Sequence, residues 1–237
     1  MQGLLRHADC DKLSPAVKKR VFSPPYELCT ERLSLRAFEP QHARELQALT
    51  TRNAEHLRPW LTWAADLPFS LDGLVDVLRE MRAAFDRGRD FNWGIFERAS
   101  GALAGGLGLH PRVGPGGLEI GYWVAHEWTR RGFAVEAAGA AARAGFEHLD
   151  AERIRIHVQP ENEASLPIPE RLGFRREGLR RATLAWPDGT WRDQIVFSLL
   201  RSELPSSPLS ALHVEAFDVI GRPLAAQDRI TTPRRTP

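Results

Sequence analysis

The segment Gly117–Leu149 reads GLEIGYWVAHEWTRRGFAVEAAGAAARAGFEHL and joins two patterns through an unusual turn. Its first eight residues, GLEIGYWV, have the composition of a strand. From about Ala134 to Leu149, Ala134, Ala137, Ala138, Ala141, Gly145 and Phe146 fall on one side of a helix whose small residues let it lie close to a sheet. Between the two, TRRGFA sets Arg130, Arg131 and Gly132 at the head of that helix. A helix N-terminus exposes unpaired backbone N–H groups and a partial positive charge, so a phosphate placed there gains hydrogen bonds. Gly132 lets the backbone approach such a group, and the two arginines add charge-assisted contacts. Taken alone, the turn reads either as a diphosphate cradle or as a solvated loop. Two rival phosphate motifs are absent: no G-x-x-x-x-G-K-[ST] occurs, and AGGLGLH has neither the third glycine nor the helix of a dinucleotide fingerprint.

Outward from this segment the pattern continues on both sides. Upstream, RLSLRAF alternates as a strand, and PQHARELQALTTRN follows as a helix with Pro40 in its first turn. NAEHLRPWLTWA suggests a short helical piece. SLDGLVDVLREMRAAFDRGR is an amphipathic helix, apolar at Leu74, Val77, Leu78, Met81 and Phe85, and two strands, FNWGIFER and ALAGGLGLHPRV, lead into GLEIGYWV. Downstream, RIRIHVQP alternates with Ile154, Ile156 and Val158 on one face. ENEASLPIPERLGF gives a short helix begun by Ser165, and two strands joined at Pro187-Asp188-Gly189 close the pattern. The order predicts an α/β or α+β sandwich with a mixed sheet. Three regions follow: an N-terminal extension at 1–25, one domain at 26–204, and a Pro/Ser-rich tail at 205–237 whose apolar patch, Val214 to Ile220, either docks on the domain or stays apart.

The 237 residues carry 43% hydrophobic and 26% charged content, which suits one globular core. Residues 1–25 hold five Lys/Arg against two Asp/Glu and 203–237 hold four of each, leaving 26–202 with 23 basic and 24 acidic residues. Such a balance argues against a nucleic-acid binder. No apolar run is long enough for a membrane span or a secretory leader, so a cytoplasmic protein is expected. Cys10 and Cys29 are read as free thiols, and no His or Cys cluster has metal-ligand spacing.

Taken together, LCTERLSLR, HLRPWLTW, EIGYWV, RRGFAVEA, NEAS followed by ERLGFRREGLRR, and DGTWRDQIVFSLL resemble the GNAT superfamily of acyl-CoA-dependent N-acetyltransferases. Within it they are most similar to the RimJ/RimL-type branch, which acetylates ribosomal-protein N-termini and related amines. The resemblance spans about Cys29 to Leu204. It implies a sheet that splays where GYWV ends, a pantetheine arm paired with backbone near Val124, and a diphosphate on the Arg131, Gly132, Phe133 and Ala134 amides, with Arg130 at the rim and Asn162 beside the cofactor. Acetyl-CoA is thus the implied co-substrate, with no metal. The sequence departs from the family pattern at Thr129, where Gln or Arg is usual, and at Arg130, where a small residue is usual.

Acetyl transfer to an amine needs a neutral amine, a donor for the developing oxyanion and a proton for the leaving thiolate. An α-amine with a pKa near ~8 is partly neutral at pH 7, so a weak base working through water suffices. Glu119, in the strand entering the opening, is the candidate base, its bland reading being a solvated strand-edge acid. The Val124 N–H is the candidate oxyanion donor. The Tyr that many family members place four residues before the GF glycine is Pro169 here, and the branch's N-x-x-S serine, Ser165, is the implied proton donor or simply a helix N-cap. A second acid that the branch offers after ERLGF is Leu184 here. Trp60 and Trp63 form either an aromatic wall over the acceptor or core. His110, His126 and His157 stand isolated in the sequence, and Asp193 is expected to fix the final hairpin through Arg180 or Arg181.

These readings predict N-acetylation of a protein N-terminal amine by a monomer or homodimer that takes no nucleic acid and no membrane. The alternatives are acetylation of a small amine, such as an antibiotic or an aminoacyl-nucleotide, and a non-catalytic acyl-CoA-binding module.

Overall fold

The computed structural model describes residues 24–226. Cys10 and almost all of the expected N-terminal extension lie outside them. The chain forms one nine-stranded sheet in the order β7-β8-β6-β5-β4-β3-β2-β1-β9. Its strands are β1 (Glu27–Cys29), β2 (Leu33–Ala37), β3 (Phe91–Glu97), β4 (Leu103–His110), β5 (Gly117–Val124), β6 (Arg153–Val158), β7 (Arg175–Ala185), β8 (Trp191–Leu200) and β9 (Glu215–Phe217). Only β5 and β6 run parallel, which makes the sheet mixed, as expected. The crossover between them is the alanine-rich helix α4 (Phe133–His148).

The alternation of β5 and β6 assigns their side chains to two faces. Leu118, Ile120, Ile154, Ile156 and Val158 pack with α4 residues Ala137, Ala138, Ala141 and Phe146 in the main core. Small side chains let α4 sit deep, and its alanines at 140, 142 and 144 are buried as well, a wider burial than a single helical face predicts. The reason lies beyond Leu204. There two 3-10 turns, Arg201–Ser206 and Pro208–Ala211, lay Leu209 and Leu212 against α4 beside Gly139, and β9 pairs antiparallel with β1. The Pro/Ser-rich segment therefore contributes a strand and a cover for the helix.

The opposite face carries α1 (Ala43–Arg52), α2 (Ala54–Leu57) and α3 (Leu71–Asp86). Helix α3 starts at Ser70, whose hydroxyl accepts the Gly73 N–H at 3.1 Å. It buries Leu74, Leu78 and Phe85, while Val77, expected on its apolar face, is 47% exposed. Between β4 and β5 the backbones meet closely: a Cβ on Gly105 would lie 2.1 Å from the Trp123 carbonyl oxygen. The β4 glycines thus mark close strand contact. Among the described residues no helix is long and apolar enough to cross a membrane.

Candidate active site

The sheet opens where β5 outruns β6. Parallel pairing ends at Ile120 with Ile156, while β5 stays paired with β4 as far as Val124. The Ala125 N–H donates to the Ala104 carbonyl at 2.9 Å. Antiparallel alternation then turns the main-chain groups of Tyr122 and Val124 away from β4 and toward the gap. The His56 Nε2 lies 3.2 Å from the Val124 carbonyl oxygen at the rim.

The head of α4 borders this gap. Gly132 is its N-cap at φ 79°, and Arg130 is also left-handed at φ 59°. The turn leaves the first N–H groups of α4 without helical acceptors. It is braced from behind: Arg32 donates to the Arg131 carbonyl at 2.7 Å and to Glu136 through Nε at 2.7 Å, and Thr30 donates to Glu136 at 2.6 Å. Trp128 stacks on Phe133 with centroids 5.4 Å apart, and the Arg131 guanidinium covers Trp128 at 4.8 Å. Arg130, Arg131 and Gly132 are exposed, so the turn presents amides and cations outward.

Ser165 lies on the α4 side of the gap, but it is not a helix cap. Helix α5 (Pro167–Arg171) has Leu166 as its N-cap, and the loop before it is closed by Asn162, whose Oδ1 accepts the Ser165 N–H at 3.2 Å. The Ser165 hydroxyl is left to pair with the Tyr122 hydroxyl at 2.7 Å. Burial pushes the Tyr122 phenol up to about 12, against the opposing effect of that hydrogen bond, so it stays protonated at neutral pH. Sequence reasoning did not single out Tyr122. Its even spacing from Leu118 and Ile120 puts it on the α4 face, but its partner is visible only in three dimensions.

Glu119 faces the other way. It pairs in register with Arg155, and its carboxylate accepts from Arg112 Nη2 at 2.6 Å and lies 3.3 Å from His157 Nδ1. Burial alone would raise its pKa. The Arg112 hydrogen bond and the nearby positive charges prevail and hold it below the usual carboxylate value. Burial pulls His157 down, against the pull of Glu119, and the charge of Arg180 lowers it further. His157 is thus a buried neighbour of Glu119, whereas its sequence context had left it isolated.

Glu119 and His157 lie on the wall of an open cleft of about 850 Å³, shared with Thr62, Arg155, Arg180 and Leu184. Trp60 and Trp63 are not on this wall. The helical piece that would have aligned them breaks at Leu61, which is extended at φ −123° and ψ 118°. Trp63 then packs edge-on against Trp123 at 5.8 Å in a small core, and the Trp60 carbonyl accepts from Gln159 at 3.0 Å. Thr62 is the residue of this segment that reaches the cleft. Asp193 fixes the hairpin through the Ala182 N–H at 2.8 Å, a backbone contact in place of the expected arginine. That contact holds Ala182 at φ 50° within an irregular stretch of β7–β8 pairing.

Residues 32–175 match the family described as "Acetyltransferase (GNAT) domain". The chain belongs to the GNAT acetyltransferase family. It is 31% identical to the Bacillus subtilis protein named "Putative ribosomal N-acetyltransferase YdaF", over 73% of this chain and 93% of the relative. It is 27% identical to the Escherichia coli protein named "[Ribosomal protein uS5]-alanine N-acetyltransferase", over 74% of this chain and 91% of that one. Among solved structures, Mycobacterium smegmatis RimJ in complex with CoA-disulfide superposes with a TM-score of 0.70 at 27% identity, covering 78% of this chain and 92% of RimJ. As a GNAT domain of the RimJ/RimL kind, the chain is an N-acetyltransferase with the mixed α/β fold of that family. Among the described residues no group of three or more His, Cys, Asp or Glu is placed to hold a metal ion.

Proposed function

We propose that this chain transfers an acetyl group from acetyl-CoA to the N-terminal α-amine of a protein, with a ribosomal protein as the acceptor class that its relatives suggest. The observation that carries the reading is the gap beyond Ile120, bordered by the left-handed turn heading α4, with the Glu119 carboxylate one residue before it on the opposite face. The site fits the co-substrate. The amides of Arg131, Gly132, Phe133 and Ala134 would hold the diphosphate, with Arg130 at the rim, and the turned-out backbone of Tyr122 and Val124 would pair with the pantetheine amides. The departures at Thr129 and Arg130 leave the amides in place, since Arg130 adopts the left-handed conformation the turn requires. Asn162 acts at one remove, by shaping the loop that carries Ser165.

Acetyl-CoA supplies an activated acyl group: its C–S bond breaks as the amide C–N bond forms. The chain's own residues divide the proton work between the two faces of the sheet. On the cleft side, the Glu119 carboxylate, ionised at neutral pH, orients the amine and takes its proton through water. On the α4 side, with the Tyr122 hydroxyl donating to it, Ser165 Oγ keeps its own proton for the leaving thiolate. The Val124 N–H faces the same gap as a donor for developing negative charge.

The test is thiol release from acetyl-CoA in the presence of N-terminal peptides and of small amines. Turnover of peptides supports the reading. Turnover confined to small amines would assign the acceptor to that class, and CoA binding without turnover of any amine would leave a binding module.

A further inference from the structure

The wall of the cleft carries more positive charge than the protein itself uses. Arg112 is matched by Glu119 at 2.6 Å, and Arg155 by Glu177 at 3.3 Å, which in turn accepts from the Ser198 hydroxyl at 2.6 Å. Arg180, on the same wall, pairs with no carboxylate among the described residues. After burial, its charge is among those that lower the His157 imidazole. Two buried polar atoms of this wall, Arg155 Nε and His157 Nε2, have no hydrogen-bond partner among the described residues. Both atoms are closed to the cleft, so a ligand there meets the Arg180 guanidinium and not these atoms. The departures from neutrality have one sign. Both carboxylates are occupied, and the free charge is a guanidinium suited to a planar carboxylate.

We propose that the cleft accepts an amine bearing a carboxylate close to the reacting nitrogen, in the form of a peptide whose second residue is acidic. The amine faces Glu119, and the carboxylate faces Arg180. Leu184 reinforces the preference: an acid at that position would have neutralised Arg180's side of the wall, and leucine leaves the guanidinium charge available. The inference rests on the acceptor reading above and adds a charge rule to it.

The test uses the full chain and three hexapeptides identical except for Asp, Ala or Lys at residue 2, read both as kcat/KM for thiol release and as calorimetric affinity for the CoA-loaded protein. The Asp peptide is expected to exceed the Ala peptide at least tenfold, with the Lys peptide lowest. Arg180→Met should flatten the order, and Arg180→Glu should invert it, a gain for the Lys peptide that a misfolded variant could not produce. Equal kcat/KM for all three peptides would overturn the charge rule and leave peptide acetylation standing. The Asp-first order in binding without thiol release would support the charge rule and sink the transfer reading. Absence of both binding and turnover for every peptide would overturn the inference.

Discussion

In the proposed mechanism the chemistry turns on Glu119, and its surroundings set what its replacement does. In Glu119→Gln the isostere keeps the Arg112 contact but accepts no proton, so kcat/KM for thiol release should fall by about 10²-fold or more, with CoA affinity unchanged. The depressed pKa also ties Glu119 to stability. Because the unfolded carboxyl binds protons more readily than the folded one, its contribution is present above the ordinary carboxylate range and lost as pH falls through the folded value. Denaturation followed against pH should therefore show a shallower acid loss in Glu119→Gln than in the parent. Tyr122→Phe removes one hydrogen bond from Ser165 and should lower kcat about tenfold while KM for acetyl-CoA holds. The stability cost is about 1 kcal/mol, checked by urea unfolding. Glu119 was singled out in the sequence as the acid of the strand entering the opening, and the structure places it on the cleft wall. Tyr122 and His157 were not, since each acquires its meaning from a partner brought close by strand register or by the loop after β6.

At the scale of elements, the register of β4 on β5 and the turn into α4 shape the gap. Gly105→Ala places a methyl against the Trp123 carbonyl at 2.1 Å, where a backbone atom cannot move aside without separating the strands. A loss of at least about 2 kcal/mol in denaturant unfolding is expected, with weakened CoA binding because Val124 lies opposite Gly105. Gly132→Ala imposes the left-handed penalty of about 1–2 kcal/mol and brings its Cβ to 3.3 Å from Arg32 Nη2. It should raise KM for acetyl-CoA several-fold with little change in kcat. Most elements could be read from the sequence, because period-2 and period-3.6 patterns follow directly from backbone geometry. The HLRPWLTW segment was misread as continuous. Its break at Leu61 reflects tertiary ties rather than local propensity, namely the Gln159 contact to the Trp60 carbonyl and the Arg192 contact to the Pro59 carbonyl at 2.7 Å.

At the scale of the molecule, the proposed chemistry falls on the two faces of the sheet. The α4 face carries the turn and Ser165, and the opposite face carries the cleft and Glu119, one residue before β5 parts from β6 at Ile120. The segment after Leu204 stabilises the first of these faces. Leu209 is 1% exposed against α4, so Leu209→Ala should cost about 2–5 kcal/mol and lower the Tm. Truncation after Leu204, which also removes β9, should cost more. Composition alone hid this role, because Pro and Ser suit 3-10 turns as well as they suit an unstructured tail. A crystal structure of the chain with CoA bound tests whether the turn heading α4 grips the diphosphate of acetyl-CoA. Diphosphate oxygens are expected within hydrogen-bond distance of the amides from Arg131 to Ala134, with pantetheine lying along Tyr122 to Val124. Diphosphate density away from Gly132, or a pantetheine arm outside the gap, would contradict that arrangement.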